Sequence, residues 1–156
     1  MSQPTFMQFA AALIALALPS CASAQETKAK KYAETNGWTI QSFSQDGGYL
    51  RCGATASGAT YSFQKSSEGF TLLVASSTKG DEAKGVVKVG DKSFGGAFYR
   101  MDDNRLGSFL KPPQLEAIKR AKSLSVTIGA ERTQISLDGA PAALRKLAEC
   151  DAKGGE

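Results

Sequence analysis

Residues 38–75, WTIQSFSQDGGYLRCGATASGATYSFQKSSEGFTLLVA, decide the fold of this chain. Aromatic and β-branched residues alternate with polar ones in short runs, and Gly- or Ser-rich turns separate these runs. The runs are 38–43, 49–54, 60–65 and 70–75. The last run is nearly all apolar, which is typical of a strand covered on both faces. This stretch therefore predicts four strands of a sheet.

The sequence beyond residue 75 predicts a further hairpin. Residues 86–89 and 92–99 are joined by Gly90-Asp91, a typical turn pair. Gly95-Gly96 lies inside the second strand, where glycine indicates a bulge or a close backbone approach.

The last third predicts two helices around another hairpin. Pro112-Pro113 begins a helix that runs to about Lys122, and residues 124–137 alternate as a hairpin with one buried face. Asp138-Gly139 begins a final helix, whose apolar residues recur at helical spacing and which ends at Cys150. The whole pattern predicts an α+β domain with a mostly antiparallel sheet of seven to eight strands and two to three helices.

The N-terminal segment predicts export. Residues 1–24 hold no Lys, Arg, Asp or Glu, and their apolar run is too short to span a bilayer. Ala22-Ser23-Ala24 follows this run as a small-x-small triplet, which predicts a cleaved signal peptide and a periplasmic or secreted product. Leu18-Pro19-Ser20-Cys21 is similar to a lipoprotein signal, so acylation at Cys21 stays open as a second route. We expect membrane attachment only by that route.

The remaining chain predicts one domain. We expect residues 25–36 to form a polar lead-in or a short helix, residues 37–151 to form the domain, and residues 152–156 to be a flexible tail. Removal of the signal leaves Cys52 and Cys150, and two cysteines in an oxidising compartment most simply form one disulfide.

Composition argues against most kinds of site. The chain has 19 Lys+Arg, 15 Asp+Glu and no His, and its net charge is +4. We expect no metal and no cofactor, because no His is present to act as a ligand. A modest positive charge favours loose association with anionic surfaces. The sequence has no run of five like charges, so it does not indicate a specific nucleic-acid partner. Aromatic and basic residues adjoin at 49–51 and 98–100, where core packing of the rings is the simpler interpretation.

Catalytic motifs are also missing from the sequence. Without His there is no His-assisted nucleophile, and we find no nucleophile elbow, phosphate-binding loop or dinucleotide fingerprint. A pair of turn carboxylates could still serve a small hydrolase. The candidates are Asp46, Asp81, Glu82, Asp102 and Asp103. A solvated turn carboxylate is the simpler interpretation, so we expect the protein not to be an enzyme.

The C-terminal half resembles a known family. The segments VVKVGD at 86–91, AIKRAKSLSV at 117–126 and SLDGAPAAL at 136–144 are similar to the invasion-associated locus B group of small exported bacterial proteins. This resemblance implies a periplasmic or surface protein with a role in the envelope or in host interaction, and no defined catalytic site.

Two short motifs resemble the membrane-bound and periplasmic inhibitors of C-type lysozyme. Their SGxxY and TKG elements match SGATY at 57–61 and TKG at 78–80. The resemblance implies that Ser57 and Lys79 enter the lysozyme cleft, where an ammonium group would neutralise acidic catalytic residues. The candidate partner-binding residues are Ser57, Gly58, Tyr61, Thr78, Lys79 and Gly80.

The sequence thus supports three hypotheses. The first is a non-catalytic exported protein that binds a protein or an envelope component. The alternative is an inhibitor of C-type lysozyme, and the third is a small carboxylate-based hydrolase.

Overall fold

The structure, a computed structural model, describes residues 26–156. The predicted signal peptide at 1–24 and the acylation route at Cys21 lie outside these residues. Ten strands and two helices follow one another along the described chain. The strands are β1 Thr27–Thr35, β2 Trp38–Gln45, β3 Gly48–Ala56, β4 Tyr61–Ser66, β5 Gly69–Ala75, β6 Glu82–Val89, β7 Lys92–Asp102, β8 Arg105–Leu110, β9 Ser123–Ile128 and β10 Glu131–Ser136. The helices are α1 Pro112–Arg120 and α2 Ala140–Ala152.

All ten strands belong to one antiparallel sheet. Their order is β1-β2-β3-β4-β5-β8-β7-β6-β9-β10, so the first five strands form a meander and β8 joins it to the second half. The hydroxyl of Tyr61 on β4 donates a hydrogen bond to the carbonyl of Ser136 at the end of β10, over 2.7 Å. The sheet therefore curls until its last strand reaches β4.

The inner face of this curled sheet holds the core. Directly opposed residues of antiparallel strands share a face, so Phe63, Leu72 and Val74 mark the inner face on β4 and β5. The apolar side of α2 packs on the same face, with Leu144, Leu147 and other residues fully buried. The indole Nε1 of Trp38 donates to the carbonyl of Asp138 just before α2, over 2.8 Å.

The predicted disulfide is confirmed: Cys52 on β3 is bonded to Cys150 on α2, and both are fully buried. A polar cluster lies beside it, in which the Asp151 carboxylate accepts from the Tyr49 hydroxyl at 2.6 Å and from Lys65 Nζ at 2.9 Å. Burial tends to raise the pKa of Asp151, but these two hydrogen bonds outweigh burial and lower it. Helix α2 is therefore fixed to the sheet by a covalent bond and an ionic one.

The prediction of seven to eight strands is wrong because two strands were missed. Residues 25–36 were expected to be a lead-in or a short helix, but Thr27–Thr35 is strand β1. Strand β8 at Arg105–Leu110 was not predicted at all. The mostly antiparallel sheet and two helices are confirmed.

Two finer expectations also differ from the structure. The pairing of Gly95 and Gly96 with β6 continues without a shift, so no bulge lies there. The irregularity of β7 falls instead between Arg100 and Asp102. In the tail, Gly155 is buried, and its N–H donates to the Cys150 carbonyl over 2.8 Å. Gly155 is thus packed against the domain, while residues 152–154 and Glu156 are exposed.

Candidate functional site

The outer face of the sheet carries the most distinctive surface of the molecule. Ser62, Gln64, Thr71 and Leu73 lie on this face, opposite the core, and all four are buried. Longer side chains from neighbouring strands shelter this small central group. A Cβ added at Gly107 would lie only 2.8 Å from the Met101 side chain. This face therefore has a polar centre and a border of large side chains.

Three large apolar side chains are exposed on that border. Tyr99 is 44% exposed, Met101 46% and Phe109 45%. Tyr99 pairs with Gly107, and Phe109 follows two positions later on the same face of β8. An exposed cluster of apolar side chains is typical of a surface that binds a ligand or another protein.

One cavity opens where β7 and β8 separate. The two strands pair only between residues 99–102 and 105–107, although β7 begins at Lys92 and β8 continues to Leu110. A cleft of about 390 Å³ lies between them, lined by the edge of β7 at Gly95 and Gly96 and by Ser108 and Phe109 of β8. We call it the β7–β8 cleft. Because glycine has no side chain, the backbone of β7 is accessible there.

A second cavity lies on the other side of Phe109. It has a volume of about 290 Å³, and its polar lining includes Arg51, Gln64 and Thr71. Its apolar lining is Leu50, Met101 and Phe109, and Ser66, Ser67 and Glu68 complete the lining. We call it the Arg51 cavity. Because Phe109 lines both cavities, the two lie side by side.

Two buried polar atoms on this face have no hydrogen-bond partner. They are the Arg51 Nε and the Ser62 Oγ, and no other side-chain nitrogen or oxygen buried within residues 26–156 lacks one. The Arg51 guanidinium carbon lies 5.1 Å from the centre of the Phe43 ring. Burial lowers the pKa of Arg51, and the charge of Arg105 lowers it further. Unpaired buried polar groups are rare in folded proteins, which sets this face apart.

The residues of the SGATY and TKG motifs lie at one end of the sheet. Ser57 and Gly58 form the turn before β4, while Thr78, Lys79 and Gly80 lie in the loop after β5. The two segments leave the same end of the β4–β5 pair, where the Ala75 N–H donates to the Thr60 carbonyl over 3.0 Å. They line different cavities, however, and these two cavities share no residue.

Tyr61 and Thr78 have structural roles in this arrangement. The Tyr61 ring packs edge-on against Trp38, with 6.0 Å between centroids, and its hydroxyl is bonded to the Ser136 carbonyl. The Thr78 carbonyl accepts a hydrogen bond from the Arg100 guanidinium. Ser57, Gly58, Lys79 and Gly80 are exposed, so the side chains of Ser57 and Lys79 could reach a partner.

The candidate catalytic carboxylates do not all lie in turns as expected, because Glu82 begins β6 and Asp102 ends β7. Asp46 lies between β2 and β3, whereas Asp81 and Asp103 line the same cavity as Lys79. Asp102 forms an ion pair with Arg105 at 2.5 Å. Burial tends to raise the pKa of Asp102, but its hydrogen bond from Arg105 contributes to a net lowering. That direction is opposite to the one a general acid needs near neutral pH.

Core packing, the role expected for the rings at 49–51 and 98–100, is wrong for two of the three rings. Core packing explains Phe98, which is buried, but Tyr49 and Tyr99 are exposed. Phe109 and Met101 were not singled out, because β8 was not predicted. The usable signal was the alternation of Arg105, Gly107 and Phe109, which places an aromatic ring on the face opposite Leu106.

Comparisons with family models, with curated proteins and with solved structures find no match to this chain. Within residues 26–156, neither helix is long and apolar enough to cross a membrane. Across the same residues, no three His, Cys, Asp or Glu side chains are grouped as a metal site would require.

Proposed function

We propose that this protein is a non-catalytic exported protein of the cell envelope, which binds a protein or an envelope component through the outer face of its sheet. The observation that carries this proposal is the exposed group Tyr99, Met101 and Phe109, placed between two cavities on a face that α2 does not cover. Ligand sites commonly combine concave apolar walls with a few polar groups. The lack of His and the resemblance to invasion-associated locus B proteins support the same function.

Phe109 provides the direct test. A photo-crosslinking phenylalanine analogue at position 109, introduced in cells that produce the protein, is expected to give a discrete adduct. Phe109→Ser is expected to weaken binding of the captured partner at least about tenfold, because central aromatic residues contribute strongly to interfaces. Its cost in stability is expected to be only about 1 kcal/mol, since Phe109 is 45% exposed and part of its apolar surface is already in water.

Arg145 provides the matched control for the crosslinker. It lies exposed on α2, which packs on the inner face. The same analogue at position 145 is expected to give no adduct of that mass. Equal adducts at both positions would show that capture does not depend on the outer face, and the proposed function would then be wrong.

Inhibition of C-type lysozyme is a second candidate function. It is supported by the position of both motif segments at one end of the β4–β5 pair, where Ser57 and Lys79 are both exposed. The Lys79 ammonium could pair with acidic groups in an enzyme cleft.

A turbidity assay with purified protein tests this candidate. The wild-type protein is expected to slow lysis by C-type lysozyme, and Lys79→Ala is expected to remove most of that inhibition. Lys88→Ala is the control, because it deletes an equally charged and exposed side chain outside both motifs. No inhibition by the wild type, or full inhibition by Lys79→Ala, would exclude the inserted-lysine mechanism.

A further inference from the structure

The Arg51 cavity has the features of an anion site within the proposed binding face. Arg51 is half-buried, and its Nε is fully enclosed without a hydrogen-bond acceptor. Only this nitrogen is enclosed, and the guanidinium group already lies over the Phe43 ring. An anion on the rest of the guanidinium group would supply the charge pairing that an aromatic ring does not. The site thus has a physical reason to bind negative charge.

No carboxylate of residues 26–156 supplies that charge. The described ion pairs do not include Arg51, and the neighbouring Arg105 is a second cation, which is itself paired with Asp102. Glu68 lines the same cavity, but it forms no ion pair with Arg51. The charge that acts on the pKa of Arg51 is therefore that of another cation, Arg105, and not that of a carboxylate.

The remaining lining defines the body of the ligand. Leu50, Met101 and Phe109 are partly exposed apolar side chains at this cavity, while Gln64 and Thr71 can bond to a polar group beside Arg51. The volume of about 290 Å³ is at the lower end of the range for small-molecule sites. These features fit a compact molecule with one charged end and one apolar end.

We propose that the Arg51 cavity binds a small organic acid, with its carboxylate on the Arg51 guanidinium and its apolar part against Leu50, Met101 and Phe109. A carboxylate matches the planar, forked donors of arginine better than a spherical anion does. This proposal deepens the proposed function, because it places a small acid on the same face.

Hexanoate is the probe for the proposed site. In titrations of the ¹⁵N-labelled protein, hexanoate is expected to shift amide signals around Arg51 and Phe109 in a saturable way. 1-Hexanol, which has the same chain without the charge, and acetate, which has the charge without the chain, are each expected to bind at least about tenfold more weakly. Inorganic phosphate is expected to bind no better than acetate.

Three variants separate charge recognition from a structural effect. Arg51→Gln is expected to weaken hexanoate binding at least about tenfold. Glu68→Gln is expected to strengthen binding a few-fold, because a like charge leaves the cavity. Arg145→Gln, an exposed arginine on α2, is expected to leave binding unchanged. Unchanged affinity in Arg51→Gln, or phosphate binding more tightly than hexanoate, would overturn the proposal.

The two proposals fail separately. If hexanoate does not bind while position 109 still gives its adduct, the small-acid site is wrong and the proposed function stands. If hexanoate binds at Arg51 while position 109 gives no adduct, the partner-binding function is wrong and the small-acid site stands.

Discussion

Removal of the disulfide in the double variant C52S/C150S is expected to lower the free energy of unfolding by about 4–5 kcal/mol. The bond joins residues separated by 98 positions, so it restricts a large part of the unfolded chain. Both sulfur-bearing residues are fully buried, so the two serine hydroxyls also enter an apolar environment. Urea unfolding followed by tryptophan fluorescence measures the change, because Trp38 is the single Trp of the chain and lies in the core.

Reduced wild-type protein is the control for this expectation. Reduction opens the same loop without introducing serine, so its loss of stability isolates the crosslink from the hydroxyl groups. If the oxidised protein and both altered forms differed by less than about 1 kcal/mol, the chain-entropy account would be wrong for this fold.

Gly139→Ala is expected to lower the free energy of unfolding by about 2–5 kcal/mol. Gly139 has a φ of +74°, a conformation that costs an L-residue about 1–2 kcal/mol. An added Cβ would also lie 2.6 Å from the Asn36 carbonyl oxygen. Because that atom is backbone, relief requires the chain to move, and overpacking of this kind costs about 1–3 kcal/mol.

Gly129→Ala is the matched control for the steric contribution to this loss of stability. Gly129 has a φ of +57° in the β9–β10 turn, but an added Cβ there meets nothing within 4 Å. Its substitution is expected to cost only the conformational part, about 1–2 kcal/mol. Equal losses in the two variants, measured by urea unfolding, would show that the contact with Asn36 has no energetic weight.

Strands β2 to β5 and helix α2 were predictable from the sequence because their hydrophobic patterns are strong. Strands β2 to β4 alternate apolar and polar residues between turn pairs, β5 is nearly all apolar, and α2 has a regular apolar stripe. Strand β1 lacks this signal. It lies at the edge of the sheet with Lys28 and Lys30 exposed, and a register shift between Lys31 and Ala33 interrupts its alternation. Such a strand depends on its neighbour β2 and on α2 rather than on its own pattern.

Strand β8 was missed for a different reason. Its interior contains Gly107, a residue type that is depleted in strands. The structure requires glycine there, because Met101 and Thr71 approach the position at which a side chain would begin. This requirement comes from tertiary packing, which a single sequence does not show.

The candidate site depends on the same missed strand. Phe109 belongs to both cavities, and Arg51 reaches its cavity only because β3, β5 and β8 come together in the sheet. Sequence reasoning selected Ser57 and Lys79 by their motifs, and the structure places them at the end of the sheet rather than on its outer face. The disulfide is the contact for which the sequence predicted both residues, because the oxidising compartment and the count of two cysteines are sufficient to pair them.

The attachment of α2 to the first strands also determines when they can become stable during synthesis. Cys150 follows Cys52 by 98 residues, and ribosomes add about 5–20 residues per second, so roughly 5–20 s separate the two halves of the core. During that interval the inner faces of β2, β3 and β4 have no helix to cover them. Strands β2 to β4 therefore remain without the cover of α2 until residues 140–152 have been made.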